Sequence, residues 1–318
     1  MPDRRRARAG SVIRNAEGPD RRPVVVGVDG SSTAMNAVRW AAYLAAGLRT
    51  SLTVLSAEPV PHPRHQAVLA TSSAAAGVLG QAVALARTCT DHLRIDGRIC
   101  SGPADSALIE ASARARLVIV GAQSVHHSRL IGPTTSHVTI GSQCPVGVWR
   151  GVAGRPIPRH DPVLVGVDGT EIGDHAVGCA FELASALEVG VVAVHAWAPG
   201  IAPLGQPDGA AAARALLSRS VAPWRARFPD VEVHAVAAAG NTIAVLAARS
   251  ANAQMLVLGS RGRTAAAAVL LGSTSRDMLH RALCPVLVCG NPPRPDDRGQ
   301  MLPVAAVDRR SRGLPSPG

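Results

Sequence analysis

Apolar and polar positions follow one another along the chain in a way that predicts strands and helices in regular succession. In the second half, five continuous apolar runs predict buried strands, at 163–167, 191–197, 231–237, 254–260 and 285–289. After the first run, apolar residues recur at helical spacing and predict a helix with one apolar face: Val177, Ala180, Phe181, Ala184 and Leu187. Residues from about 208 to 228 also predict a helix, and Asn241 is the predicted N-cap of another.

The first half of the chain shows the same order of elements. Its predicted strands are 24–28, 52–57, 97–101, 117–121 and 146–149, and its predicted helices are 34–48, about 70–93 and 104–114. Strands that are apolar throughout and alternate with helices are typical of a parallel sheet covered on both faces. Right-handed crossovers then make each half a doubly wound α/β unit.

Short motifs repeat between the two halves at a nearly constant offset. VVVGVDG at 24–30 recurs as VLVGVDG at 163–169, 139 residues later, and CPV at 144–146 recurs at 284–286, 140 residues later. This repetition indicates a duplicated domain of roughly 130 residues. The expected organisation is a disordered basic tail (1–22), a first domain (23–150), a linker (151–160), a second domain (161–290) and a second disordered tail (291–318).

The composition is that of a folded protein without a membrane partner. The 318 residues are 47% apolar and 17% charged, which is enough for a buried core. No apolar run approaches the roughly 18 residues of a membrane span. The arginine-rich start has no apolar stretch behind it, unlike a secretory signal, so we expect a cytoplasmic protein. The six cysteines lack C-x-x-C spacing and are predicted to be small, buried apolar residues.

The charge pattern excludes two kinds of chemistry. All 33 basic residues are arginine and the formal net charge is +11. Without lysine, a Walker-type phosphate loop and Schiff-base catalysis are excluded.

Seven arginines lie in 1–22 and five in 291–318, so the two domains are only mildly basic. Because aromatic residues make up 2% of the chain, base stacking is disfavoured and nucleic acid is not an expected partner.

A glycine-rich segment in the second half points to phosphate binding. Gly259 ends a predicted strand, Gly262 follows three residues later, and Gly272 opens a predicted helix. Such glycines let backbone N–H groups approach an anion, and a helix N-terminus adds free donors and partial positive charge. Further donors and charge come from residues of the same segment: Ser260, Arg261, Arg263, Ser273, Thr274 and Ser275.

The pattern Gly259-x-x-Gly262-x9-Gly272-Ser273, before the second CPV, resembles the nucleotide motif of the universal stress protein family. The repeated VGVDG and the VHAW at 194–197 resemble the family's first two strands. The resemblance covers about residues 23–290 and is strongest to tandem-domain members of the ATP-binding branch. It implies a five-stranded parallel sheet of order 3-2-1-4-5 in each half, with ATP bound at the motif.

The resemblance also implies roles for residues on the first two strands. Gly166 and Asp168 would lie beside the adenosine, and the backbone at His195 and Ala196 would meet the adenine. Structural alternatives stay open for three residues. Asp168 is also compatible with a simple Asp-Gly turn, His195 with a satisfied core histidine, and Ser273 with an N-cap.

The first half departs from the motif. Ser124 replaces the second glycine, ten residues separate Gly121 from Gly132 where twelve separate Gly259 from Gly272, and Pro133 replaces the serine. A shorter loop with one fewer N–H donor should hold a triphosphate poorly. We therefore expect at most a weak first site, at Gly27, Asp29, Gly121 and Gly132.

Three functions stay open at this point. They are an ATP-binding regulatory module of the stress response, a nucleotide-independent interaction or scaffold protein, and a slow ATPase. Phosphoryl transfer needs a positioned base, and the only carboxylate in 259–277 is Asp277, so we expect no enzyme. Mg²⁺ is expected only through bound phosphates.

The resemblance implies pairing of like domains through the last strand. The two halves are expected to pair in this way, and a homodimer of whole chains stays open.

Overall fold

The computed structural model describes residues 20–58, 68–122, 131–150, 158–198, 209–260 and 271–290. The predicted tails and linker lie largely outside the described residues. The strands of the first half are β1 (Val24–Val28), β2 (Leu52–Glu58), β3 (Ile95–Ser101), β4 (Leu117–Gly121) and β5 (Val146–Trp149). Its helices are α1 (Ser32–Gly47), α2 (Val68–Arg87), α3 (Ala104–Ser112) and α4 (Pro133–Gly141).

The second half repeats this order of elements. Its strands are β6 (Val163–Gly166), β7 (Val191–Trp197), β8 (Val233–Ala239), β9 (Met255–Gly259) and β10 (Val286–Cys289). Its helices are α5 (Glu171–Leu187), α6 (Gly209–Arg227), α7 (Thr242–Arg249) and α8 (Ser273–Arg281). The predicted cap of α7 is confirmed, because the Asn241 side chain accepts hydrogen bonds from the N–H groups of Ile243 and Ala244.

The ten strands form one sheet in the order β3-β2-β1-β4-β5-β10-β9-β6-β7-β8. Within each half the strands are parallel and lie in the order 3-2-1-4-5, as predicted. The halves meet where β5 and β10 pair antiparallel, with Val148 opposite Val286 and Val146 opposite Val288. The expected pairing of the two halves through their last strands is therefore present within a single chain.

Helices cover both faces of the sheet, and each face has one apolar core that runs through both halves. Alternate strand residues point to opposite faces, so Val24 and Val26 face α1 while Val25 faces α3. One core lies under α1, α2, α5 and α6, and the other lies under α3, α4, α7 and α8. Polar contacts also join the halves: Arg116 pairs with Glu182, and the Arg150 guanidinium donates to the Leu279 carbonyl.

Several element bounds differ from the sequence-based expectation by one or two residues, and three differences have a structural reason. The helix predicted to reach residue 93 ends at Arg87, where the backbone N–H groups of Thr88 and Cys89 close the last turn on the Leu85 and Ala86 carbonyls. The strand predicted at 231–237 begins at Val233, because Val231 N–H closes a turn on the Phe228 carbonyl. Helix α4 was missed, since its Thr, Val and Ile residues and its flanking glycines give it low intrinsic helix propensity.

A glycine on the seam strand β5 makes room for a tryptophan pair. The Trp40 and Trp149 rings lie with centroids 6.0 Å apart, and Trp40 is fully buried. A Cβ at Gly147 would come within 2.5 Å of Ile119 Cδ1 and 2.8 Å of Trp40 Cζ3. The absence of a side chain at this position thus allows α1 to pack onto the seam.

Gly147→Ala is expected to lower the free energy of unfolding by about 1–3 kcal/mol, because the added methyl overpacks the Trp40 site. Urea unfolding at equilibrium measures the change. Gly80→Ala is the matched control, since a Cβ at this exposed position in α2 meets nothing within 4 Å. There the same substitution should raise stability by about 0.5–1 kcal/mol. A Gly147→Ala protein as stable as the unsubstituted chain would contradict the packing argument.

Candidate functional site

The predicted site lies at the carboxyl edge of the second half, where the strand order reverses. Strand β6 pairs with β7 on one side and with β9 on the other. The chain leaves β6 toward one side of the sheet and β9 toward the other, which opens a crevice between the following loops. Gly259 ends β9, Asp168 follows β6 by two residues, and Ala196 lies near the end of β7. These predicted site residues therefore come from neighbouring strand ends.

Three hydrogen bonds fix the two ends of the glycine-rich loop. Gly272 N–H donates to the Ser260 carbonyl at 2.6 Å, and the Ser275 hydroxyl donates to the Gly259 carbonyl at 2.6 Å. Ser260 N–H donates to the Cys289 carbonyl at 2.7 Å, which anchors the loop to β10. Residues 261–270, which include Arg261, Gly262 and Arg263, lie outside the described residues. The start of α8 is thus held beside the end of β9.

Helix α8 begins at this edge of the sheet with backbone donors available. Gly272 is its N-cap residue and has no side chain that could accept from the first turn. Ser273 is exposed and Thr274 half-buried at the first two helical positions. Uncapped N–H groups at a helix N-terminus bind anions. Ser275 has a different role, because its hydroxyl is buried and bonded to Gly259.

Asp168 forms the turn that leads into α5. Its Oδ1 accepts from Thr170 N–H at 3.0 Å and from the Thr170 hydroxyl at 2.7 Å. Gly169 supplies the positive φ of +72° that this turn needs, and the Thr170 hydroxyl accepts from Gly173 N–H at the start of α5. The Asp-Gly turn considered from the sequence is therefore present, and the half-buried carboxylate lies at the mouth of the crevice.

Gly166 and His195 support the floor of the crevice. A Cβ at Gly166 would lie 2.6 Å from Leu258 Cδ2, so any larger residue there would displace the Leu258 side chain. His195 Nδ1 lies 2.6 Å from the Val167 carbonyl, which ties β7 to the residue after β6. His195 is thus a satisfied, half-buried histidine, and Ala196 follows it with a half-buried position of its own.

The first half repeats the frame of the site with different residues. Thr135 takes the place of Ser275 and donates to the Gly121 carbonyl at 2.8 Å, and Gly132 N–H donates to the Ala122 carbonyl at 3.2 Å. Pro133 is the first residue of α4, so this helix start lacks one N–H donor. Asp29 is exposed and accepts from Ser31 N–H at 2.9 Å, and a Cβ at Gly27 would meet Leu108.

Neither a cluster of metal-ligating side chains nor a membrane-spanning helix is found in the part of the chain that the structure describes. No three His, Cys, Asp or Glu side chains converge there to hold a metal ion. None of the described helices has the length and apolar character needed to cross a membrane.

The sequence-based interpretation of the cysteines is only partly correct. Cys144, Cys284 and Cys289 are buried, as predicted. Cys89, Cys100 and Cys179 are half-buried, and Cys179 lies next to His175 on α5. The i, i+4 spacing of a histidine and a cysteine on a predicted helix was available as a signal.

Comparisons with known proteins agree with this architecture. The family model for the universal stress protein family matches residues 20–150 and again residues 160–290. A universal stress protein of Mycobacterium tuberculosis is 33% identical over 283 residues, which cover 83% of this chain and 96% of that protein.

Solved structures of the same kind also match. A universal stress protein from Archaeoglobus fulgidus shares the fold, with a TM-score of 0.64 and 21% identity over 85% of this chain and 96% of that one. A universal stress protein solved in complex with cAMP matches 41% of this chain and 97% of its own, at 25% identity and a TM-score of 0.35. On the two family matches and the M. tuberculosis relative, the chain belongs to the universal stress protein family.

Proposed function

We propose that the second half of this protein binds ATP and that nucleotide occupancy regulates its conformation or its choice of partner in the stress response. The observation that carries the proposal is the uncapped start of α8, held against the end of β9 by the bond between Gly272 N–H and the Ser260 carbonyl. A helix start without a side-chain acceptor is favourable for a phosphate group.

The chemistry of the motif supports a polyphosphate as the ligand. Ser273 and Thr274 add hydroxyl donors to the backbone donors of the first turn of α8. Arg261 and Arg263 belong to the same loop in sequence and would supply the positive charge that lysine supplies in other phosphate loops. Together these groups make a binding site for phosphates without a Walker lysine.

The adenosine end of the ligand is assigned from the family resemblance and from the crevice. Asp168 at the end of β6 and the backbone at Ala196 in β7 stand at the carboxyl edge beside the loop. The half-buried Asp168 carboxylate suits a ribose hydroxyl, and backbone N–H and C=O groups suit an adenine edge. ATP is therefore the proposed ligand, with Mg²⁺ carried on its phosphates.

The first half is proposed to bind ATP weakly or not at all. It keeps the frame, with Gly121, Gly132 and Thr135 in the equivalent positions, but Pro133 removes a donor where Ser273 supplies one. Its loop is also two residues shorter. Regulation would then depend on one nucleotide per chain, and a homodimer of whole chains is compatible with this stoichiometry.

The proposal is for a binding module and not for an enzyme. In the described part of the site, the Asp168 carboxylate bonds to Thr170, and Asp277 lies within α8. Neither arrangement provides a free base aimed at a phosphate ester, which phosphoryl transfer requires.

Binding is tested by thermal unfolding with and without about 1 mM Mg-ATP, on protein stripped of co-purified nucleotide. For a dissociation constant near 10 μM, mass action predicts about 2.7 kcal/mol of stabilisation, which raises the midpoint by several degrees. Gly272→Asp should abolish the shift, because a carboxylate at the helix start repels the phosphates. The matched control is Gly132→Asp at the equivalent position of the first half, where a Cβ meets nothing within 4 Å, and it should keep the shift. Loss of the shift in both variants would contradict the assignment to the second half.

Isothermal titration of the unsubstituted chain with ATP should give one site per chain. Two equal sites would show that Pro133 and the shorter loop do not weaken the first half. No heat and no thermal shift would favour the alternative of a nucleotide-independent interaction protein.

Phosphate release from Mg-ATP should not exceed the release measured with the Gly272→Asp variant. The physical reason is the lack of a positioned base in the described part of the site. Release that is well above this control and depends on enzyme concentration would favour the slow ATPase.

A further inference from the structure

A second group of reactive side chains lies at the seam between the halves. His175 and Cys179 are one turn apart on α5, and Cys179 Sγ lies 3.7 Å from His175 Nε2. Helix α5 packs on β10, and the Cys289 side chain lies within interaction range of Cys179. These three side chains belong to elements far apart in sequence and take no part in the proposed nucleotide site.

Comparison of the two halves shows that this group is particular to the second one. At the positions equivalent to Cys179 and Cys289, the first half has Trp40 and Trp149, which pack together and are buried. The residue of the second half that is equivalent to Gly147 is Leu287, whose side chain is fully buried. Two indole rings are nevertheless replaced by two thiols and one isobutyl group, which together are smaller.

The smaller side chains are accompanied by a cavity of about 100 Å³ at the seam. Its walls include His175, Cys179 and Glu182 from the second half and Arg22, Arg116 and Cys144 from the first half. Glu182 is 47% exposed and Arg22 is also 47% exposed, so the cavity opens to solvent beside them. Cys179 therefore lines a cavity that a small polar molecule can enter.

The hydrogen bonds around Cys179 favour its thiolate. The neighbouring Cys289 thiol is the largest influence that lowers the pKa of Cys179 below its usual range, and the bond with His175 adds to it against the effect of burial. The bond with Cys179 in turn raises the pKa of His175, and His175 Nδ1 lies 3.0 Å from the Gly290 carbonyl. This carbonyl holds the Nδ1 proton and leaves Nε2 to take the proton of the thiol.

We propose that Cys179 is a peroxide-reactive cysteine, which hydrogen peroxide or a small hydroperoxide converts to a disulfide with Cys289. The site would thus accept a small oxidant and carry a reversible modification that fastens α5 to β10. Nothing in this proposal depends on nucleotide binding.

The chemistry balances in two steps. The Cys179 proton passes to His175, the thiolate attacks one peroxide oxygen, the O–O bond breaks, and the leaving hydroxide takes the proton to form water. The Cys289 thiol then attacks the sulfenic sulfur, the S–O bond breaks, and the departing hydroxide leaves with the Cys289 proton as a second water. Two thiols are oxidised to one disulfide, and one hydrogen peroxide is reduced to two waters. With a hydroperoxide the first leaving group is an alkoxide, which takes the proton to form an alcohol, and the second step again releases water.

The cluster is not a metal site by its geometry. Within the described residues, no three His, Cys, Asp or Glu side chains are placed so that they could hold a metal ion. Burial raises the pKa of Cys144 and of Cys284 to about 12 in each case, which makes both inert toward peroxide. The charged groups that face Cys179 are His175 and Glu182 on α5, Arg22 and Asp20 before β1, and Arg116 before β4.

The full, nucleotide-free chain is treated with hydrogen peroxide at pH 7 for increasing times, and alkylation of the remaining thiols stops the reaction. Peptide mass spectrometry then measures the oxidised fraction of each cysteine. Cys89 and Cys100 are internal controls, because they are half-buried like Cys179 but lack its histidine partner. Cys179 should be oxidised about tenfold faster than either control, because a larger share of it is thiolate. The expected product is a Cys179–Cys289 disulfide, which dithiothreitol reverses.

Three variants separate the roles of the residues. Cys179→Ser should remove the disulfide, and Cys289→Ser should let a sulfenic acid accumulate on Cys179, where a cyclic dione traps it. His175→Gln should slow oxidation about tenfold and move the alkylation profile of Cys179 to higher pH, which a purely structural role would not do.

If a variant fails to fold, the oxidation rates and products measured on the unsubstituted chain still decide the proposal. Oxidation of Cys179 at the rate of Cys89 and Cys100 would overturn it, as would a product that links Cys179 to a cysteine other than Cys289. An unchanged alkylation profile in a folded His175→Gln protein would remove His175 from the mechanism.

Discussion

The antiparallel pairing of β5 with β10 is the interaction on which the rest of the molecule depends. It joins two parallel sheets into one sheet of ten strands and lets each apolar core run through both halves. Strand β5 would otherwise be an exposed edge of apolar residues, and such edges promote association. The duplication therefore gives the chain an internal partner for an edge that a single domain would leave open.

The two halves keep the same arrangement of strands, helices and anchoring hydrogen bonds, but they differ in the side chains at equivalent functional positions. Thr135 and Ser275 make the same hydrogen bond from the last helix to the end of the fourth strand. The donors beyond that bond differ, since Pro133 stands where Ser273 stands. At the seam, the first half has two packed tryptophans where the second half has two smaller thiols.

The sequence allowed most of the fold to be predicted, because buried parallel strands are continuous apolar runs. The bounds of β1, β4, β5 and β7 agree with the prediction. The end of α2 was not predictable from periodicity, since Cys89 and Leu93, which follow the helix, also pack on the apolar core. The group at Cys179 was missed for a different reason: Cys289 is distant in sequence, and only the topology brings the two sulfurs together. The candidate nucleotide residues were named from the motif, and their role stays a prediction.

One residue of β10 connects the two regions of the second half. The Cys289 carbonyl accepts from Ser260 N–H at the base of the glycine-rich loop, and its side chain contacts Cys179 on α5. If nucleotide binding or thiol oxidation shifted this strand end, the shift would reach both regions, and the state of one would bias the state of the other. Thermodynamic linkage makes such a bias reciprocal: a ligand that favours one thiol state must be bound more tightly in that state, by the same factor. A single main-chain hydrogen bond would then couple metabolic and oxidative signals in one polypeptide.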